Sequence, residues 1–68
     1  MNSWLRQWFD GPWQSRAGGV TRRARRDVDR MASIVEVITE ARARGWHVIE
    51  TGDQVVVLCH DGDVRVHC

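Results

Sequence analysis

The sequence predicts a small α+β fold, in which one long helix packs on a three-stranded antiparallel meander (αβββ) behind a tryptophan-rich N-terminal arm. Three observations predict it. Apolar residues recur at helical spacing over residues 21–44, Val-rich segments with two-residue alternation occupy residues 46–67, and three of the four Trp residues lie in the first thirteen positions. We expect an arm with a Gly-Gly hinge over residues 1–19 and a single thin-cored αβββ domain over residues 20–68.

The arm has the apolar spacing of a two-turn amphipathic helix that ends at Gly11-Pro12. So short a helix is not stable alone, and the arm is too short to bury its own Trp side chains. Either it folds back over its own domain, or it inserts into a partner, where Trp is a favoured anchor. The predicted partner-binding residues of the arm are Trp4, Leu5, Trp8, Phe9 and Trp13.

Residues 21–44 predict one continuous helix, with Thr21 as its N-cap and Gly45 as its stop. Further apolar residues widen the helix's apolar arc beyond one packed face, so we expect a second contact with the arm or with another chain. The stripe expected to face the sheet consists of Ala24, Val28, Met31, Val35 and Ile38.

The C-terminal segments WHVIE, QVVVLCH and DVRVH predict three short strands, separated by turns at TGD and at Asp61-Gly62. Asp-Gly is a favoured type I′ hairpin turn. Strand alternation then sends Ile49, Val56 and Leu58 to the sheet face opposite the helix. Three apolar residues on an outer face need a cover, so we predict that the arm or a partner binds them.

Cysteine and histidine are adjacent twice near the C-terminus, in Cys59-His60 and His67-Cys68. This pattern raises the question of a zinc site. In the predicted hairpin, alternation puts the cysteines on one face and the histidines on the other. The two cysteines then lie about 13 Å apart along the strands. That separation is too long for a disulfide or for a shared tetrahedral zinc ion. The sequence therefore predicts no metal site and no cofactor.

Catalytic residues are not predicted either. His47 and His60 can be diagonal neighbours on the outer face with Asp63 opposite, but exposed sheet histidines are common and no cleft is expected around them. No nucleophile motif, glycine-rich phosphate loop or facing pair of carboxylates is recognisable. We expect a protein that is not an enzyme.

Basic residues are concentrated in TRRARRD, although the net charge of the chain is only +1. On the predicted helix they form a stripe that is either solvated or bound to a polyanion or an acidic partner. Interleaved Asp residues argue against nucleic acid, as does the separation of the Trp residues from the stripe. The alternative, nucleic-acid-binding interpretation assigns phosphate contacts to Arg22, Arg23, Arg26 and Arg30.

All ten basic residues are Arg, which is typical of GC-rich bacterial and phage genomes. Two cysteines without a secretory signal indicate a reducing compartment. No apolar stretch approaches the roughly 20 residues of a membrane span. These features predict an intracellular (cytoplasmic) protein, either free or associated with a virion.

Several short features match one known family. Ala43-Arg44-Gly45-Trp46 leads from helix to strand, Gly52 lies in the first turn, and His60-Asp61-Gly62 lies in the second. With these features, residues 34–66 resemble the HicA-type toxins, small mRNA interferases with a double-stranded-RNA-binding-like fold. In that family a Gly-Ser-His motif supplies the catalytic His, whereas the matching positions here are Gly52-Asp53-Gln54. Gln cannot act as a general acid or base, so the resemblance implies the scaffold and RNA affinity without RNA cleavage.

The function that these patterns favour is a non-enzymatic protein-interaction module. We expect a phage-type or accessory subunit, held in a larger assembly or homo-oligomer through its Trp arm. The alternative is a HicA-like RNA- or DNA-binding protein without nuclease activity.

Overall fold

The computed structural model describes residues 2–68, so Met1 of the predicted arm lies outside the described residues. Three strands form one antiparallel sheet, and the last of the three in sequence lies in its centre. The α+β class and the three antiparallel strands are confirmed. The elements in chain order are α1 (Ser3–Asp10), α2 (Trp13–Arg16), β1 (Val20–Ala24), α3 (Arg25–Met31), α4 (Ile34–Ala43), β2 (His47–Thr51) and β3 (Gln54–Leu58).

The prediction of one long helix is wrong, because its segment forms a strand and two helices. Thr21, expected as the N-cap, lies inside β1 and pairs with Val57 of the central strand. Ala32 has an extended φ of −156° that ends α3. Ser33 then caps α4 by accepting a hydrogen bond from the Glu36 N–H, which satisfies a free donor of the new helix.

The β2–β3 hairpin closes through the two-residue loop Gly52-Asp53, with Thr51 paired to Gln54. Gly52 has a φ of +55°, a conformation that side chains with a Cβ rarely adopt, while Asp53 does not have a positive φ. This combination is that of a type II′ turn, whose twist matches that of the flanking strands. The Asp53 carbonyl also accepts a hydrogen bond of 2.6 Å from the Arg25 N–H, which ties the turn to the start of α3.

The predicted third strand of the meander is also wrong. Residues 59–68 form no strand, and residues 61–68 are exposed. The physical reason is the topology, since β3 already bonds to β1 on one edge and to β2 on the other, and no edge is left for a hairpin at Asp61-Gly62. Cys59 is buried and Cys68 is exposed, so the two do not share a hairpin face.

The helices pack on one face of the sheet, and α1 supplies the largest side chains of the core. The predicted helix stripe is correct for Val28, but Met31, Val35 and Ile38 are exposed. Val37 is buried instead. This shift follows from the break at Ser33, which resets the phase of the second helix. The core consists of Leu5, Trp8, Phe9, Val28, Val37, Ala41, Val55, Val57 and Cys59.

Candidate protein-docking surface

The sheet face opposite the helices is assembled by the strand register. Side chains alternate along each strand, so every second residue of β3 and its partners on both sides point away from the helices. We call this surface the open face. Its three rows across the sheet are Val20, Leu58 and His47, then Arg22, Val56 and Ile49, then Ala24, Gln54 and Thr51.

The open face is apolar at its centre. Val20 and Ile49 on the edge strands are 54% and 45% exposed, respectively. Between them lie Val56 and Leu58 on the central strand, where neighbouring strands shield them. The register thus places the predicted residues Ile49, Val56 and Leu58 together on one face. Val20 joins them by pairing with Leu58, and the sequence does not point to it because the residues that follow it have the spacing of a helix.

The charge of the open face is positive. None of its nine side chains is acidic, whereas Arg22 stands in the middle row beside Val56. Within residues 2–68, Arg22 makes no salt bridge. On the helix-covered side of the sheet, by contrast, Arg25 pairs with both Asp29 and Glu50. A ligand that covers the apolar centre would therefore lie next to the unpaired guanidinium of Arg22.

The predicted partner residues of the arm lie elsewhere. Leu5, Trp8 and Phe9 are buried in the chain's own core, so the arm folds back over its own domain and these side chains offer no surface to a partner. Trp4 is half-buried against the same core. Trp13, on α2, is 71% exposed and is the large aromatic that the arm leaves in solvent.

Polar contacts hold α1 in place at both of its ends. Asn2 caps the helix through its side chain, which accepts from the Leu5 N–H and donates to the Met31 carbonyl. Trp8 donates its Nε1–H to Thr21 Oγ1 at 3.2 Å, so the indole is buried without an unsatisfied donor. These contacts reach α3 and β1 and fix the helix across the sheet.

Arg44 forms the second anchor of α1. Its guanidinium bonds to Asp10 at 2.6 Å and to Glu40 at 3.0 Å, and it stacks over the rings of Phe9 and Trp46. The hydrogen bond from Arg44 holds the pKa of the Asp10 carboxyl below its usual value and raises the pKa of Arg44 itself. This anchoring role cannot be predicted from local patterns, because Asp10 and Phe9 lie more than thirty positions before Arg44.

The four arginines predicted to grip phosphates do not form one stripe. Arg22 lies on the open face, whereas Arg23 lies on the opposite face over the Trp8 ring, where burial lowers its pKa. On α3, Arg26 is exposed and Arg30 contacts Asp27 at 3.5 Å. The set is split because β1, with its two-residue alternation, replaces the first turns of the predicted helix.

The C-terminal segment begins next to His47 of the open face and brings His60 close to it. The rings of His47 and His60 lie 5.8 Å apart, and His47 Nε2 is 2.7 Å from the Gly62 carbonyl oxygen. His60 Nδ1 accepts from the Gly62 N–H. Throughout residues 2–68, no group of three or more His, Cys, Asp or Glu side chains is arranged to hold a metal ion. The Cys59 thiol is buried, which raises its pKa.

Comparisons with known proteins add no further assignment: no family model, no curated protein and no solved structure matches this chain. Across the described residues, none of the helices has the length and apolar character required to cross a membrane.

Proposed function

We propose that the chain is a non-enzymatic protein-interaction module, an accessory or phage-type subunit, and that its partner binds the open face of the sheet. The observation that carries the proposal is an apolar cluster on the sheet face opposite the helices, which spans two adjacent rows and consists of Val20, Leu58, Val56 and Ile49. A partner that covers this cluster removes the apolar surface that Val20 and Ile49 leave in solvent.

The chemistry of the face selects the class of partner. A surface three strands wide accommodates a helix laid across it, and the apolar centre calls for an apolar stripe on that helix. Arg22 makes no salt bridge with a carboxylate of residues 2–68, so a carboxylate at the edge of the partner's stripe would pair with it. The proposed partner is therefore an amphipathic protein helix with acidic residues beside its apolar stripe. The arm serves this function indirectly, because it supplies the core on which the sheet rests.

A second candidate function is nucleic-acid binding, which the exposed and unpaired Arg22 and Arg26 favour. Single-stranded nucleic acids bind sheet faces by stacking bases on aromatic rings. The open face carries His47 as its one ring and neither Trp nor Phe, and Trp13 lies on α2 outside it. This composition ranks nucleic acid second.

A display selection tests the proposal. The full chain serves as bait for a library of helical peptides that vary in apolar stripe and in flanking charge. We expect the wild-type chain to enrich acidic amphipathic peptides and an Arg22→Glu bait to enrich basic ones. The substitution reverses the sign of the charge beside the apolar cluster. Enrichment of the same peptides by both baits would contradict the proposed site.

Matched variants locate the binding surface. Leu58→Glu places a charge in the apolar cluster, whereas Val35→Glu places the same charge on α4, on the far side of the sheet. Binding of a selected peptide should be lost in the first variant and retained in the second.

A labelled RNA or DNA duplex, titrated over several salt concentrations, tests the second candidate. Tight binding with a steep salt dependence would favour it over the peptide proposal.

A further inference from the structure

Strand β2 forms an edge of the sheet, and its outer side carries unpaired backbone groups. In a two-residue hairpin, the residues next to the turn exchange both hydrogen bonds, and every second residue after them does the same. Thr51, Ile49 and His47 therefore bond to β3. The N–H and C=O groups of Val48 and Glu50 point outward, and no backbone hydrogen bond in residues 2–68 reaches them from outside the hairpin.

The side of α4 next to this edge is apolar and exposed. Ile38 and Arg42 line a groove of about 490 Å³ between α4 and β2, whose floor includes Trp46 and Val48. Apolar side chains thus lie alongside the unpaired backbone groups, beside the helix that packs directly against β2.

We propose that two copies of the chain associate by antiparallel pairing of their β2 strands, with Ile49 on the two-fold axis and the α4 flanks packed beside it. The two three-stranded sheets then become one sheet of six strands. This inference does not rest on the proposed function, since the partner is a second copy and the contact is an edge of the sheet.

The register follows from the outward groups. For both Val48 and Glu50 to use their N–H and C=O groups, Val48 must pair with Glu50 of the second copy, which makes about four hydrogen bonds across the axis. Ile49 then faces its own copy as a non-hydrogen-bonded pair, where side chains approach most closely. A register centred on Glu50 would set two carboxylates opposite each other, which is unfavourable. Charge therefore supports the register centred on Ile49.

The C-terminal segment lies near the same edge but does not close it. Val64 reaches the mouth of the groove, and the Gly62 carbonyl meets the side chain of His47. Residues 61–68 are all exposed, and no backbone hydrogen bond joins them to β2. A second copy displaces Val64, which is 43% exposed, and the His47–Gly62 contact, and its own β2 strand and α4 flank take their place.

Backbone chemistry provides the first test. Glu50→Pro removes an outward N–H that the single chain does not use, and Pro is tolerated on an edge strand in that position. Glu50→Ala is the matched control, because it also loses the Arg25 ion pair but keeps the N–H. Sedimentation equilibrium between about 1 μM and about 1 mM should show wild type and Glu50→Ala approaching twice the chain mass of 7.8 kDa. We expect Glu50→Pro to dissociate at least about tenfold more readily, with an unchanged far-ultraviolet spectrum.

A disulfide provides the second test, because a residue on the axis meets its own copy. In a Cys68→Ser background, which removes the exposed thiol, Ile49→Cys should give a covalent dimer under mild oxidation by oxidised glutathione. Thr51→Cys, on the same face but opposite His47 of the second copy, should stay monomeric. A wild-type chain that remains monomeric over the whole concentration range would overturn the proposal. Equal cross-linking of both cysteine variants, or association that Glu50→Pro leaves intact, would do the same.

Discussion

Replacing Trp8 by Ala tests whether the arm is part of the fold. Trp8 is the largest fully buried side chain, at 1% exposure, and it meets the Trp4 and Phe9 rings edge-on at 5.6 and 5.4 Å, respectively. Deleting a buried Trp typically costs about 3–5 kcal/mol of unfolding free energy. A chain of this length has a total of only about 3–10 kcal/mol. We therefore expect Trp8→Ala to lose a large part of its unfolding free energy at 25 °C.

A milder change keeps the effect measurable. Trp8→Phe removes the Nε1–H that bonds to Thr21 and part of the ring, which we expect to cost about 1–2 kcal/mol. Urea denaturation followed by far-ultraviolet circular dichroism gives this value. For so small a domain, the slope is about 1 kcal/mol per molar urea, so the midpoint should fall by about 1–2 M.

The control is Trp13→Ala, because Trp13 is exposed and its loss should change the unfolding free energy by less than about 0.5 kcal/mol. If Trp8→Ala and Trp13→Ala both denatured at the wild-type midpoint, the arm would contribute nothing to the core. The alternative of insertion into a partner would then return.

Three further results are expected. The Arg44 hydrogen bond lowers the pKa of Asp10 in the folded chain, so this carboxylate stabilises the fold above its unfolded pKa, near 3.8. The stabilisation is lost as the pH falls through the folded pKa. Asp10→Asn should therefore flatten the decline in urea midpoint between about pH 5 and pH 2. Burial raises the pKa of the Cys59 thiol, whereas Cys68 is exposed. A thiol reagent should therefore label one cysteine per native chain and both cysteines in denaturant. Rapid labelling of both cysteines in the native chain would contradict the fold. Ser33→Ala removes the cap of α4 and should cost about 1 kcal/mol by urea denaturation, whereas Ser33→Asp should restore the loss.

Local patterns predicted the elements that depend on neighbouring residues. The β2–β3 hairpin could be predicted because Val-rich alternation and a Gly-containing turn are both short-range features. The outer position of Ile49, Val56 and Leu58 follows from the same alternation. For these residues, strand periodicity alone was enough.

Long-range pairing could not be predicted in this way. β1 has a sequence of low strand propensity, VTRRA, and becomes a strand because β3 offers it a second edge more than thirty positions away. That pairing also takes the edge that the Asp61-Gly62 turn would need. The strong local hairpin signal therefore failed for a reason that lies at the other end of the chain. The anchoring of α1 by Arg44 escaped prediction for the same reason, since Asp10 and Arg44 meet only in the folded chain.

The position of the central strand has a consequence for how the chain folds. β3 is the last strand to leave the ribosome, yet both other strands pair with it, and the core around α1 closes on its Val55 and Val57. Neither half of the molecule can bury its apolar surface before residue 58 is available. Folding is consequently governed by closure of long loops, and a chain interrupted before β3 exposes α1 as a free apolar helix.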